Sequence, residues 1–197
     1  NATGLVPEVR GMHGPTTTVA DLPKVFSLRE QGGILQRSGV VDYALGVAPG
    51  VFVIVTTHQE EIIKELRYLK VGSGPNWVLF RPYHLTSIET PLSVGKAVLY
   101  EETTIATTQP PVAETFAVAK RRLHTGEVLD TIGGFTFYGL IERADVSREE
   151  RLLPVGLAPG AILTHDVDEG QPITYDDVQL DESKTILNLR RMQDKLT

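Results

Sequence analysis

Cysteine is absent from the 197 residues. That excludes a disulfide framework, a thiolate zinc site and a cysteine nucleophile. No apolar run approaches the roughly 18 residues that a membrane-spanning helix needs, and no signal peptide is visible. Positive charge is in deficit: 19 Lys and Arg stand against 25 Asp and Glu, a formal net charge of −6. With a sequence pI of about 5.4, the field that draws a phosphate backbone over long range is missing. Neither nucleic acid nor a membrane is expected as a partner. The lack of cysteine fits a reducing compartment, so a cytoplasmic location is expected. What remains is ordinary for a globular protein, with 41% hydrophobic and 22% charged residues, enough for a core and unlike a disordered chain. The chain opens Asn1-Ala2-Thr3 without an initiator methionine, which is expected of a piece of a longer protein.

Along the chain, Arg10-Gly11-Met12-His13-Gly14-Pro15 reads as a loop punctuated by glycine and proline. Asp21 is placed to cap a short helix through Leu22, Val25 and Phe26, stopped at Gly32-Gly33. Val40, Val41, Tyr43, Leu45 and Val47 read as strand. Val51-Phe52-Val53-Ile54-Val55 is the clearest buried strand. Thr57 and Glu60 have capping-box spacing for a helix with Ile62, Ile63, Leu66 and Leu69 on one face, and Glu60 and Lys64 form an i,i+4 pair. Trp77-Val78-Leu79-Phe80 is a short buried strand. Thr90 before Pro91 predicts a second helix, with proline in its first turn, running to Leu99. Thr107-Thr108-Gln109-Pro110-Pro111 is a stiff linker, followed by glycines and short β-type runs to about residue 180. The tail from Ser183 to Leu196 returns to a helical or extended pattern. Two parts are expected, 1–111 and 112–197.

The second part contains a repeat. Residues 117–130 align with residues 161–174 at an offset of 44 without a gap. Small or apolar residues match at 117/161, 118/162, 123/167 and 129/173, and Gly126 matches Gly170. The unit reads as a short strand, a turn needing glycine, and a second apolar pair. Two such units predict a compact β module with pseudo-twofold symmetry.

Arg81 and His84 follow a buried strand, where α/β proteins often place functional groups. Arginine offers a planar fork for phosphate or carboxylate, and histidine exchanges a proton near neutral pH. The alternative is a surface loop in which Arg81 pairs with Glu89. Arg10 and His13 lie in a loop whose glycines let a ligand approach the backbone, although such a loop is more often a plain turn. Lys24 and Lys96 could neutralise a phosphate, or be solvated. Lys120-Arg121-Arg122 could meet an anion or form a salt-bridged face. The histidines, at 13, 58, 84, 124 and 165, show no H-x-x-x-H spacing, and no metal is expected. No G-x-S-x-G appears either.

From Ala117-Val118-Ala119 to Gly126-Glu127-Val128-Leu129, and from Leu153-Pro154-Val155-Gly156-Leu157 to Gly170-Gln171-Pro172-Ile173 with Asp176-Asp177-Val178, the chain resembles a SAF domain, the antifreeze-like β-clip module. The stretches Asn1 to Leu5, Val9 to Pro15 and Arg81 to Leu85 resemble the homoserine-dehydrogenase-like NAD(P)-dependent oxidoreductases that end in a SAF domain, in particular the deoxyxylulose-phosphate-reductoisomerase-like group. The resemblance implies an α+β chain: a small α/β catalytic-region remnant with substrate and dimerisation roles, then the β-clip. The Rossmann domain of that family is missing, because no G-x-G-x-x-G opens the chain after a strand. NAD(P) would therefore be held by an N-terminal Rossmann partner outside this chain, and the chain alone would be inactive. The resemblance further implies a small phosphorylated or polyol-type substrate and a homo-oligomer, with His84 and Arg81 as catalytic residues and Arg10, His13 and Lys96 in substrate binding. The alternative is a non-enzymatic SAF-domain module that binds carbohydrate or protein.

Overall fold

The structure is a computed structural model that describes residues 1–83, 85–107 and 109–196. It is α+β, with helices and small antiparallel sheets. The chain divides into two compact units, one of residues 13–106 and the other of residues 1–12 with 107–197. The first twelve residues, expected with the first part, belong to the second. Asn1 shows how: its Oδ1 accepts from the backbone N–H of Val112 at 2.9 Å and of Ala113 at 3.0 Å.

In the unit of residues 13–106, helix α1 is a single turn, Leu22–Val25. Asp21 occupies its N-cap position but does not cap it; its carboxylate instead accepts from the Thr18 hydroxyl at 2.6 Å. Strands β1 (Val51–Thr56) and β2 (Asn76–Arg81) pair antiparallel, Val51 opposite Arg81 and Thr56 opposite Asn76. The β-branched and aromatic run favours this pleated geometry. Alternation sends Phe52, Ile54 and Val78 to one face, where they join Leu22, Phe26 and Leu35 in a small core. The Phe26 and Phe52 ring centroids are 5.5 Å apart. On the other face Trp77 is buried, while Val51, Val53 and Leu79 are exposed. Gly74 is fixed by this arrangement, since a Cβ there would lie 2.5 Å from the indole ring.

Helix α2, Glu60–Tyr68, starts two residues later than a cap at Thr57 would place it, with Gln59 at its N-cap position and without the predicted capping box. The Thr57 hydroxyl accepts from the N–H of Gln59, at 3.2 Å, so it closes a turn ahead of the helix. The Glu60–Lys64 pair forms at 3.9 Å between two exposed side chains. Helix α3 runs Thr86–Leu99 and starts four residues before Thr90, so Pro91 lies inside it. The proline removes one N–H and crowds the preceding turn. No side chain of α3 is buried. The predicted strand through residues 40–47 is irregular, with a parallel bridge from Leu45 to Thr16.

In the other unit, β3 (Ala113–Ala119) and β4 (Phe137–Arg143) pair antiparallel, and helix α4 covers Ala144–Glu149. Two short strands follow, β5 (Ile162–Leu163) and β6 (Val178–Gln179), also antiparallel. Helix α5, Thr185–Leu196, completes the unit with Leu187 buried. The tail is therefore helical.

The repeat is written into the hydrogen bonding. Leu123 and Val167, which occupy equivalent positions, exchange N–H···O bonds of 2.9 and 3.0 Å. The bond from Leu129 N–H to Ala161 O has its counterpart from Ile173 N–H to Ala117 O, both 2.9 Å. Likewise Leu163 N–H to Glu127 O is matched by Ala119 N–H to Gln171 O, and Gly126 N–H to Leu163 O by Gly170 N–H to Ala119 O. Each bond recurs with the two copies exchanged, as a pseudo-twofold axis requires. Gly126 and Gly170 hold the same turn at φ +85° and +77°, where a Cβ is unfavourable. Ala117, Leu123 and Leu129 are buried, as are Ala161, Val167 and Ile173. The copies differ at 118/162: Val118 packs with Phe116 and Leu152, whereas Ile162 is exposed.

Candidate active site

The loop containing His13 turns by successive positive φ angles, +75° at Gly11, +67° at Met12 and +56° at Gly14. Glycine accepts such angles freely and methionine does not, so the surroundings must hold Met12 there. At Gly14 a Cβ would fall 2.2 Å from the Tyr43 ring. A side chain there would also have to adopt that positive φ and displace the tyrosine ring.

Asp42 holds the loop from inside. Its side chain is 5% exposed and that of His13 is 19% exposed. One carboxylate oxygen, Oδ1, accepts from the backbone N–H groups of His13 and Gly14, each at 3.1 Å, and of Tyr43 at 2.8 Å. The other, Oδ2, lies 2.7 Å from His13 Nδ1 and 3.2 Å from the His13 N–H. Burying a carboxylate is costly unless such donors surround it. This buried group replaces the strand expected around residue 42: the backbone is fixed by a side chain instead of a ladder. The result is an imidazole oriented by a buried carboxylate, an arrangement suited to proton transfer.

Arg10 donates from Nε to Glu142 at 2.8 Å and from Nη2 to Glu150 at 2.7 Å, and its guanidinium carbon lies 5.5 Å from the centroid of the buried Phe116 ring. Both carboxylates push the already high pKa of Arg10 further up. Arg81, at the end of β2, is exposed and ion-paired with Glu89 of α3, the surface pairing that the sequence offered as an alternative. Lys96 is exposed in the last turn of α3. Lys24 is exposed beside an open cleft of about 600 Å³ lined by Thr16, Thr17, Thr18 and Gly33. His84 lies outside the described residues. The basic triplet follows β3 instead of lying on it, and each member is engaged. Lys120 donates to Gly134 O at 2.5 Å, Arg121 pairs with Glu127, and Arg122 sits 3.6 Å from Asp168.

Sequence reasoning missed Asp42, Glu142 and Glu150. Asp42 is 29 residues from His13, and no spacing rule links a loop histidine to a carboxylate that far along the chain. Glu142 and Glu150 lie beyond the linker, more than a hundred residues from Arg10.

The turn between β1 and α2 lacks the glycine loop of a dinucleotide site. The turn between β1 and α2 is Thr57-His58-Gln59, without glycine, and the first turn of α2 carries Glu60 and Glu61. Backbone N–H groups that would cradle a pyrophosphate are there faced by like charge. Among the described residues no helix is long and apolar enough to cross a membrane.

An α+β chain with a carboxylate-held histidine is thus the class that fold and site define. The comparison with known families is specific to its first part. Residues 1–90 match the model of the catalytic domain of the oxidoreductase DRL, which relates this stretch to an oxidoreductase catalytic domain. The match contains the whole His13–Asp42 site. No curated protein matches the chain.

Proposed function

We propose that this chain supplies the substrate-facing part of an NAD(P)-dependent oxidoreductase acting on a small phosphorylated or polyol-type substrate. The match of residues 1–90 to an oxidoreductase catalytic domain carries the reading. The nicotinamide would supply the hydride chemistry and would sit in a Rossmann unit outside this chain. Here His13 exchanges a proton with the substrate, and Arg81, Lys96 and His84 offer positive charge to its anionic group. Arg10, held by two carboxylates, anchors the loop that leads to His13. Residues 112–180 act as a SAF-like β-clip that mediates assembly of a homo-oligomer.

The test is to express the whole reading frame that encodes this chain and follow nicotinamide absorbance with a panel of sugar phosphates and polyols. Substrate-dependent cofactor turnover is expected, and His13→Ala should lower kcat by about 10²- to 10⁴-fold. A whole protein that neither binds NAD(P)H nor turns over any of the panel would overturn the reading. The core of residues 107–197 supports a second reading, a carbohydrate-binding module without catalysis, which saturable sugar binding by a cofactor-free protein would favour.

A further inference from the structure

We infer that the cleft beside Lys24 is a binding site for the phosphorylated end of a small polyol. This open cleft of about 600 Å³ brings Thr16, Thr18, Asp21 and Lys24 together beside the apolar Val25 and Ile34. Its volume falls within the range of small-molecule sites, about 300–1,000 Å³. Lys24 supplies the cation, and among the described residues no carboxylate pairs with it. Arg10, Arg81, Arg151 and Arg191, by contrast, are each paired with a carboxylate. An ammonium left unpaired on a cleft wall is available to an anionic oxygen.

The groups around Lys24 narrow the ligand. The Asp21 carboxylate stands three residues before Lys24 but accepts from the Thr18 hydroxyl, at 2.6 Å. That bond uses the Thr18 hydrogen, so the Thr18 oxygen is left as an acceptor, like the carboxylate itself. Two acceptors beside a cation disfavour a bare anion and suit a ligand that also carries hydroxyl donors. The Thr16 hydroxyl makes no hydrogen bond among the described residues and adds a donor for the phosphoryl oxygens. Val25 and Ile34 give the carbon chain an apolar wall. The cleft also shares its backbone with the His13–Asp42 pair. Leu45 N–H donates to Pro15 O and Thr17 N–H to Leu45 O, both at 2.9 Å, so the segment that follows His13 runs beside the segment that follows Asp42.

The affinity of the cleft follows from its own groups; that its ligand is the substrate rests on the oxidoreductase reading. The experiment is a titration of the ¹⁵N-labelled 197-residue chain with glycerol 3-phosphate, followed through amide shifts, with glycerol as the control. Saturable shifts are expected at Thr16, Thr17, Thr18, Gly32 and Gly33 with glycerol 3-phosphate and not with glycerol. Lys24→Gln should weaken the binding about tenfold or more, the worth of one charge-assisted bond. Lys195→Gln, which removes an exposed lysine of α5 in the other unit, should leave the affinity unchanged. No saturable shift at those amides in the wild type overturns the inference, and that result needs no variant. Equal affinity in a folded Lys24→Gln overturns it as well. Inorganic phosphate that binds as tightly as glycerol 3-phosphate contradicts the polyol half of it.

In the whole protein, Lys24→Gln should raise KM for a phosphorylated substrate about tenfold or more and change kcat less than about threefold, the pattern of lost binding. Binding at the cleft in a protein that turns over nothing keeps the site and removes the oxidoreductase reading. Turnover without binding at the cleft keeps that reading and removes the site.

Discussion

Apolar side chains are distributed very differently in the two units. Of 23 apolar side chains buried among the described residues, 19 lie in the unit of residues 1–12 and 107–197, and four, Leu22, Phe26, Leu35 and Trp77, in residues 13–106. Of 26 large apolar side chains that are exposed, 17 lie in residues 13–106. They include Val51, Val53 and Leu79 on one sheet face and Leu92, Val94 and Val98 on α3. The two-repeat unit is closed upon itself. The other unit leaves much of its apolar surface exposed, and it carries His13 and Asp42. Reactive groups are commonly drawn from the less stable part of a protein. Here the His13–Asp42 pair sits on the part whose own core is small.

The contrast can be broken most severely at Phe137, fully buried in the repeat core. Phe137→Ala should destabilise that unit by about 3–5 kcal/mol, read as a fall in its thermal midpoint. Next come the paired turn glycines. A Cβ at Gly126 or Gly170 meets no atom within 4 Å, so the cost of Gly→Ala is the left-handed backbone alone, about 1–2 kcal/mol. The two variants should be alike in denaturant titration, and unequal costs would weaken the symmetry.

A smaller effect is expected with pH. The Asp166 carboxylate accepts from the Thr125 N–H and hydroxyl and faces His124. The Thr125 backbone bond contributes most to holding its pKa at about 2 instead of 3.8. A carboxyl depressed in the folded state stabilises it above the ordinary value, and that contribution disappears as pH falls from about 3.8 to about 2. Asp166→Asn should therefore flatten the acid limb of the midpoint-against-pH curve in that window. The smallest effect belongs to Leu92→Ala on α3, where the side chain is 65% exposed. Its cost in the isolated chain should be within about 0.5 kcal/mol.

What was legible in the sequence was what is repeated or periodic. The β1 and β2 runs declare themselves through β-branched and aromatic residues. The 44-residue repeat is visible because both copies make the same bonds and so need the same small, apolar and glycine positions. The start of α3 was hidden by Pro91, whose usual place is the first turn. The strand expected at 40–47 failed because the Asp42 side chain, not a ladder, holds that backbone. His13 and Arg10 were recognised by type, but their roles depend on carboxylates distant in sequence. One orients the His13 ring, and two others engage Arg10.

The difference between the units is tested most directly by residue-resolved hydrogen exchange on the 197-residue chain. The account predicts slow exchange at Ala117, Leu123, Leu129, Leu163, Val167 and Ile173, at rates near that of global unfolding of the unit. It predicts amides of α3 exchanging faster by orders of magnitude, because no buried side chain holds that helix. Equal protection in α3 and in the repeat strands would contradict it.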